Sequence, residues 1–286
     1  SVLPRVALPT IILTLWATAV CFWQTTPGLQ FFFPNSTVFL TVISFVLSLL
    51  LGFRTNTAYE RYWEGRRLWT NLTVATRNMA RLFWVAADEP ANRDNTTEKT
   101  TAMGLILSFL IAVRNHARNN DGLVTDDGCI RPEFEGLLPA VPTLSASHPY
   151  LLTSSKFVHT DILYLLNAYV DDLLRRKTLD MPQCGQLIAA INSMNDTVTS
   201  MERILTTPIP LAYSLHLKQI MYMYLIMLPF QLLGDFKFLA ILITALATFT
   251  FVGVELIGSE IENPFGTDAN DLRVEEFIAD AEVEIS

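Results

Sequence analysis

Between Arg5 and Arg54 the chain contains no Asp, Glu, Lys or Arg, so residues 6–53 form an uncharged run of 48 positions. One helix crosses the hydrocarbon core of a bilayer with about 20 apolar residues. The run therefore predicts two crossings and a turn. The turn is legible as Thr25-Thr26-Pro27-Gly28, with Pro34-Asn35-Ser36 closing the loop before the second helix. This places crossings over about 6–23 and 36–53. Trp16, Trp23 and the triplet Phe31-Phe32-Phe33 suit an interfacial belt. A second apolar span follows the first at once, with no small-residue cleavage site between them, which argues against a removable signal peptide.

The pattern returns near the other end. Residues 219–234 lack charge between Lys218 and Asp235, and 238–254 lack it between Lys237 and Glu255. Uncharged 210–217 extends the first of these at its start, and Asp235 with Lys237 marks a tight turn. Four crossings are expected, as two hairpins. Composition agrees: 51% of residues are hydrophobic, only 17% are charged, and mean hydropathy is +0.33. Those figures exclude a disordered chain and a nucleic-acid binder that relies on bulk positive charge, given a net charge of −8. Cys21, Cys129 and Cys184 are an odd set without CxxC spacing, so neither a disulfide framework nor a zinc ribbon is indicated. Any soluble part then belongs in a reducing compartment.

Orientation follows from basic residues near the span ends. Arg5 precedes the first span, and Arg54, Arg61, Arg66, Arg67, Arg77 and Arg81 follow the second. The loop 24–35 has no base, and the second hairpin's turn has only Lys237. Both termini and the long middle region are thus expected on the cytoplasmic side of a multi-pass integral membrane protein. Asn35-Ser36-Thr37 is the one glycosylation-type sequon on the far side; those at Asn71, Asn95 and Asn195 read as chance.

The middle region reads as helical. Tyr59, Trp63, Arg66, Leu68, Trp69 and Leu72 recur at helical spacing, as if the second membrane helix ran on or restarted. Residues 88–99 read as a loop. Residues 100–117 are apolar throughout and predict a buried core helix rather than a fifth span, because Lys99 and Arg114 flank it closely. Residues 119–149 are mainly connection. Residues 156–176 and 183–205 predict amphipathic helices, the second bounded by Pro182 and by the Thr206-Thr207-Pro208 break. No β alternation persists, so the class is all-α. The chain divides into a first membrane hairpin (1–58), a cytoplasmic helical region (59–207), a second hairpin (208–258) and an acidic cytoplasmic C-terminal segment (259–286). That last part, from Glu255 onward, holds ten acidic residues against Arg273 alone, and 54–118 holds ten of the twenty bases. From Glu275 onward the expectation is a solvated tail, with pairing between the acidic and basic regions as the alternative.

No enzyme motif is present. His116, His148, His159 and His216 are far apart in sequence and lack metal-ligand spacing, and P-loop, GxSxG and GxGxxG patterns are missing. Three other features stand out. Phe45, Leu49 and Phe53 follow one another at four-residue intervals along one helix face, with Ser44 and Ser48 beside them and Gly52 allowing close approach. Helix packing explains this stripe. So does a pore lining, since an oligomer that turned it to an axis would stack apolar rings able to gate by dewetting. Thr207-Pro208-Ile209-Pro210 breaks the helix before the third span, either as a plain helix start or where backbone lines a cavity. The segment 260–271 gathers oxygen ligands after the fourth span. Asp268, Asn270 and Asp271 there suit capping of the next helix, or a calcium site outside the EF-hand pattern.

The run 53–69, Phe-Arg-Thr-Asn-Thr-Ala-Tyr-Glu-Arg-Tyr-Trp-Glu-Gly-Arg-Arg-Leu-Trp, together with Ile-Glu-Asn-Pro-Phe-Gly at 261–266, resembles the bestrophin family. The likeness is to its shorter microbial, fungal and plant-type members more than to the animal ones. The resemblance implies a homo-pentameric ion channel in a lipid bilayer, with a single pore on the fivefold axis. It places a neck of three apolar rings on Phe45, Leu49 and Phe53, and a second, cytoplasmic aperture on Ile209. It implies no required cofactor. Animal members bind calcium in a clasp whose matching positions here are Glu260 and Asn263 through backbone oxygens, and Asp268 and Asp271 through side chains. Here Ala269 and Asn270 interrupt the animal run of acids, and Glu260 departs from the usual residue, both of which count against calcium gating. The resemblance favours anions, chloride above all. A monovalent-cation channel of the same build and a non-conducting membrane scaffold are the alternatives.

Overall fold

The computed structural model describes residues 2–26, 37–86, 95–120, 131–134, 137 and 157–285. Among them lie eight α-helices: α1 (Leu3–Thr25), α2 (Thr37–Ala86), α3 (Asn95–Ala117), α4 (Val158–Arg175), α5 (Met181–Thr206), α6 (Leu211–Phe236), α7 (Leu239–Glu260) and α8 (Val274–Ile285), with a 3₁₀ turn at Pro132–Phe134. There is no strand among the described residues, as the all-α reading requires. Contacts divide the chain into two compact units, residues 1–63 with 207–271 and residues 64–206 with 272–286. The expected turn beyond Thr26, residues 88–94 of the loop expected over 88–99, most of the connection 119–149, and Cys129 and His148 lie outside the described residues. Residues 95–99 of that loop are instead helical, because α3 begins at Asn95.

In the first unit α1, the start of α2, α6 and α7 share a core of Leu13, Leu47, Leu51, Leu217, Met221, Leu225 and Val252. Among the described residues three helices, α1, α2 and α7, are long and apolar enough to cross a membrane. α6 has the length, 26 residues, but carries His216, Lys218 and three tyrosines. Two apolar surfaces gain little hydrophobic driving force from meeting inside lipid, so close packing of small residues and polar links must hold such helices together. The structure uses both. Along α7 the fully buried row is Ala240, Thr244 and Thr248, continued by Val252, and the threonine hydroxyls donate back to the carbonyls of Ala240 and Thr244. This leaves a narrow seam with its polar atoms satisfied, and α1 lies along α7 with Ala17 and Cys21 fully buried. Trp16 donates its indole N–H to the Ile226 carbonyl at 3.1 Å and meets Phe230 edge-on. The α6–α7 turn is as tight as Asp235 and Lys237 suggest, with Lys237 at φ 45°.

The polar link is an ion pair. Arg54 Nη1 donates to Glu255 Oε1 at 2.6 Å, and both side chains are only 3% exposed. Lys218 Nζ stands 3.4 Å from the same Glu255 oxygen, and Arg54 Nη2 stands 4.0 Å from Glu262. α2, α6 and α7 are therefore tied at one level. Tyr213 adds a hydrogen bond to the Leu50 carbonyl at 2.8 Å.

In the second unit α3 is buried on nearly every side from Ala102 to Val113, as its apolar sequence demands of a core helix. α2 runs on without a break through its 50 residues and sends Trp69, Leu72, Met79 and Phe83 into this core. Gly104 is where the chain needs the smallest residue: a Cβ there would sit 2.2 Å from the Leu137 carbonyl oxygen. The expectation of a solvated tail from Glu275 is corrected. α8 buries Val274, Ile278 and Ala281, and Phe277 lies against Trp69 with the Arg66 guanidinium 4.2 Å from its ring centre. Arg77 grips Glu284 with two donors, and Arg118 pairs with Glu275. The basic and acidic regions do pair, because an amphipathic helix with three apolar anchors brings its carboxylates to the arginines.

Two outcomes follow from these links. Arg54→Met leaves buried Glu255 with only the half-exposed Lys218 as its cation, and removal of one partner of a buried pair costs up to about 3–5 kcal/mol. Detergent-solubilised R54M should therefore melt well below the parent, and Arg54→Met with Glu255→Leu should recover much of the loss; an unchanged melting temperature in R54M would refute the anchor. The hydrogen bond from Arg118 holds the Glu275 carboxyl below its ordinary value of 4.5. Its stabilisation is present above that value and disappears as pH falls through the lower folded one. Glu275→Gln should thus lower thermal stability slightly at pH 7, the pair being screened by solvent, and the difference from the parent should vanish once the pH falls below the folded value.

Candidate functional site

The stripe predicted from four-residue spacing is found on α2 with a clear aspect. Phe45, Leu49 and Phe53 are 71%, 49% and 56% exposed in the single chain. Leu47, Leu51, Arg54 and Ala58 are buried and recur at intervals of four and three, which puts them on the opposite side of the same helix. One face of α2 is thus used for its own subunit and the other is left as an uncovered apolar strip. Ser44 and Ser48 donate to the carbonyls of Thr41 and Ser44, at 2.9 and 2.7 Å, so their protons are engaged within the helix. Gly52 does not provide a close approach inside the chain: nothing lies within 4 Å of where its Cβ would be. The strip carries no charge, and Arg54, the nearest base, is turned inward to Glu255.

The segment 207–210 is a true break. α5 ends at Thr206, and Pro210 precedes the first residue of α6. Its backbone is held by side chains from elsewhere in the first unit. Arg61 Nη1 donates to the Thr207 carbonyl at 2.6 Å and Arg61 Nε to the Glu262 carbonyl at 3.0 Å, while the Ile209 amide donates to Glu262 Oε1 at 3.0 Å. Ile209 itself is half-buried. The break is therefore a fixed bracket for one apolar side chain, joined through Glu262 to the Arg54 cluster.

The oxygen-rich segment after α7 folds on itself. Asp271 Oδ2 accepts the Asp268 amide at 2.6 Å, and the Asp271 amide donates to the Asp268 carbonyl at 3.1 Å. The carboxylate lies over Gly266, where a Cβ would come within 2.6 Å of it. Asp268 reaches outward to Arg5 at 3.9 Å, Asn263 is exposed, and Glu260 is buried in the last turn of α7. The two aspartates thus take different partners. The Asp268 amide takes one oxygen of Asp271, Oδ2, which makes Asp271 the residue that closes this turn.

Sequence reasoning missed two clusters. Arg54 counts there only as a base flanking a span. The signal was available in the row Leu47, Leu51, Arg54, Ala58, which places an arginine in register with buried apolar residues, and in Glu255, a carboxylate ending an apolar run. The second cluster joins residues from three helices. His116 Nε2 stands 2.9 Å from Glu202 Oε1, and His159 Nε2 stands 3.9 Å from the same oxygen. No local spacing announces it. His216 lies exposed on α6.

The family model for bacterial and fungal bestrophin proteins matches residues 1–286. A voltage-dependent anion channel-forming protein of Nostoc sp. is 38% identical over 229 residues, which cover 80% of this chain and 70% of that one. A protein of the same description from Synechocystis sp. is 33% identical over 279 residues, covering 96% and 84%. A crystal structure of a bacterial bestrophin homologue from Klebsiella pneumoniae, bearing a point mutation, aligns with a TM-score of 0.81 at 21% identity over 98% of this chain and 97% of that one, a likeness of fold. With its apolar helices, its all-helical architecture and a family model that spans every residue, this chain belongs to the bestrophin family of integral membrane proteins.

Proposed function

We propose that the chain assembles as a homo-pentamer around the exposed strip of α2 and conducts anions, chloride among them, through a neck lined by Phe45, Leu49 and Phe53. The observation that carries this is the two-sidedness of α2: its inner face is locked by Arg54, and its outer face bears three large apolar side chains left about half or more exposed among the described residues. Fivefold assembly would cover them and stack them as rings. Such a constriction gates by dewetting and needs no charged filter. Aromatic edges are weakly positive, which tolerates an anion better than an aliphatic wall does. Relatives from Nostoc sp. and Synechocystis sp. bear the description of voltage-dependent anion channel-forming proteins, and that supports the sign of the ion.

Ile209 forms the second aperture in this reading, its position set by the Glu262 and Arg61 bonds to the surrounding backbone. α6 serves as the fourth crossing beside α1, α2 and α7. Both termini and the region 59–207 face the cytoplasm, as the distribution of arginine indicates. No catalytic step belongs to this function. In this reading calcium is not required for gating, because Ala269 and Asn270 interrupt the run of acids that a clasp would use.

Purified protein in planar bilayers with a chloride salt gradient should reverse near the chloride potential; reversal near the cation potential would assign the same architecture to cations. The combined change Phe45→Ala, Leu49→Ala and Phe53→Ala should raise conductance or open probability several-fold, and unchanged currents would refute the neck. A calcium chelator should leave the current as it is in both the parent and Asp268→Ala, whereas a chelator response abolished by Asp268→Ala would restore the clasp.

A further inference from the structure

The second unit brings two imidazoles and one carboxylate to a single point. His116 lies near the C-terminus of α3, His159 in the first turn of α4, and Glu202 near the end of α5. His116 Nε2 and His159 Nε2 approach the same oxygen, Glu202 Oε1, at 2.9 and 3.9 Å, and the ligand atoms all lie within 4.8 Å of one another. Among the described residues this is the one such grouping of three His, Cys, Asp or Glu side chains. The imidazole rings are 4.4 Å apart between centres, His159 is buried, and Phe157 packs against both rings.

Three potential ligand atoms, two imidazole nitrogens and one carboxylate oxygen, converge on one point from three helices. A divalent cation there would be held by both imidazoles in their neutral form, each using Nε2 as a ligand. Two imidazoles and a carboxylate match zinc and its borderline neighbours, whereas calcium and magnesium ask for oxygen donors. Zinc bonds of about 2.0–2.1 Å to nitrogen place tetrahedral ligand atoms about 3.3 Å apart. The observed 2.9 and 3.9 Å lie on either side of that spacing, so side-chain adjustments within α3, α4 and α5 suffice. Glu202 is about one-third exposed, which leaves a fourth position open to water.

We infer that His116, His159 and Glu202 form a zinc-type metal site that pins the ends of α3, α4 and α5 to one another. Its role is mechanical: one ion ties together the ends of three helices that already pack against one another. It is independent of the neck and of the ion conducted.

The test uses the full chain in detergent, carrying no histidine tag and stripped with a chelator before zinc is titrated by calorimetry. One zinc per chain should bind at micromolar or tighter concentration and raise the apparent melting temperature by several degrees. Cobalt in its place should give the intense visible bands of a four-coordinate site. His116→Gln and Glu202→Gln, both at partly exposed positions and expected to fold, should each weaken binding about tenfold or more. His216→Ala should bind as the parent does. Failure to bind zinc or cobalt overturns the site, as does binding that survives both Gln substitutions or that depends on His216. A proton-bridged ion pair would then explain the cluster.

Discussion

The buried Arg54–Glu255 pair decides which way α2 faces. A helix of apolar residues in an apolar surrounding is free to rotate about its axis at little cost, because leucine against lipid and leucine against leucine are nearly equivalent. A charged pair is not interchangeable in this way. Arg54 must meet Glu255, and its place in register with Leu47, Leu51 and Ala58 commits that side of the helix to its own subunit. Phe45, Leu49 and Phe53 then have only the other side left. The exposed strip is thus a consequence of where one guanidinium is tied, and the bonds from Glu262 and Arg61 carry the same restraint to the bracket around Ile209.

The second unit relies on a different balance. Its core helix α3 is apolar all round and is covered by amphipathic neighbours, so burial from water supplies the main stabilisation, at about 1.5–3 kcal/mol for each large side chain fully removed from solvent. The arginines on α2 add specificity. Arg66 over Phe277 and Arg77 with Glu284 choose which face of α8 docks, while Val274, Ile278 and Ala281 supply the attraction. Exposed ion pairs alone are worth too little to hold a helix down. An acidic sequence with three apolar residues at helical spacing is therefore a docked element, and without them it would be a tail.

Much of the fold was legible in the sequence, for a simple reason. Charge-free runs and helical periodicity are local properties, and they locate α1, α2, α3, α6 and α7 closely. The stripe on α2 was legible too, since its spacing is set by the helix itself. Pairing between the basic and acidic regions was legible as an alternative, but which residues meet across distant segments was not. Arg54 with Glu255 is separated by 201 positions and Arg118 with Glu275 by 157. His116 and Glu202 are 86 apart. No period links such residues, and only the packing of the helices brings them together.

The charges nearest the strip also bear on how ions would be chosen. Arg54 and Lys218 face Glu255 and Glu262, and Arg61 joins them at the Glu262 carbonyl. The Arg54 guanidinium is thus paired with carboxylates and turned away from the strip, one residue from Phe53. The serine protons at Ser44 and Ser48 are engaged in their own helix and offer no ready donor. In the proposed assembly the neck therefore has neither a fixed charge nor a ring of donors with which to replace an ion's water. Selection there must come from the cost of shedding water and from the polarisable aromatic edges, both of which favour large, weakly hydrated anions over small, strongly hydrated ones. A paired, inward-turned anchor beside an apolar strip makes hydration, rather than binding, the quantity that the neck measures.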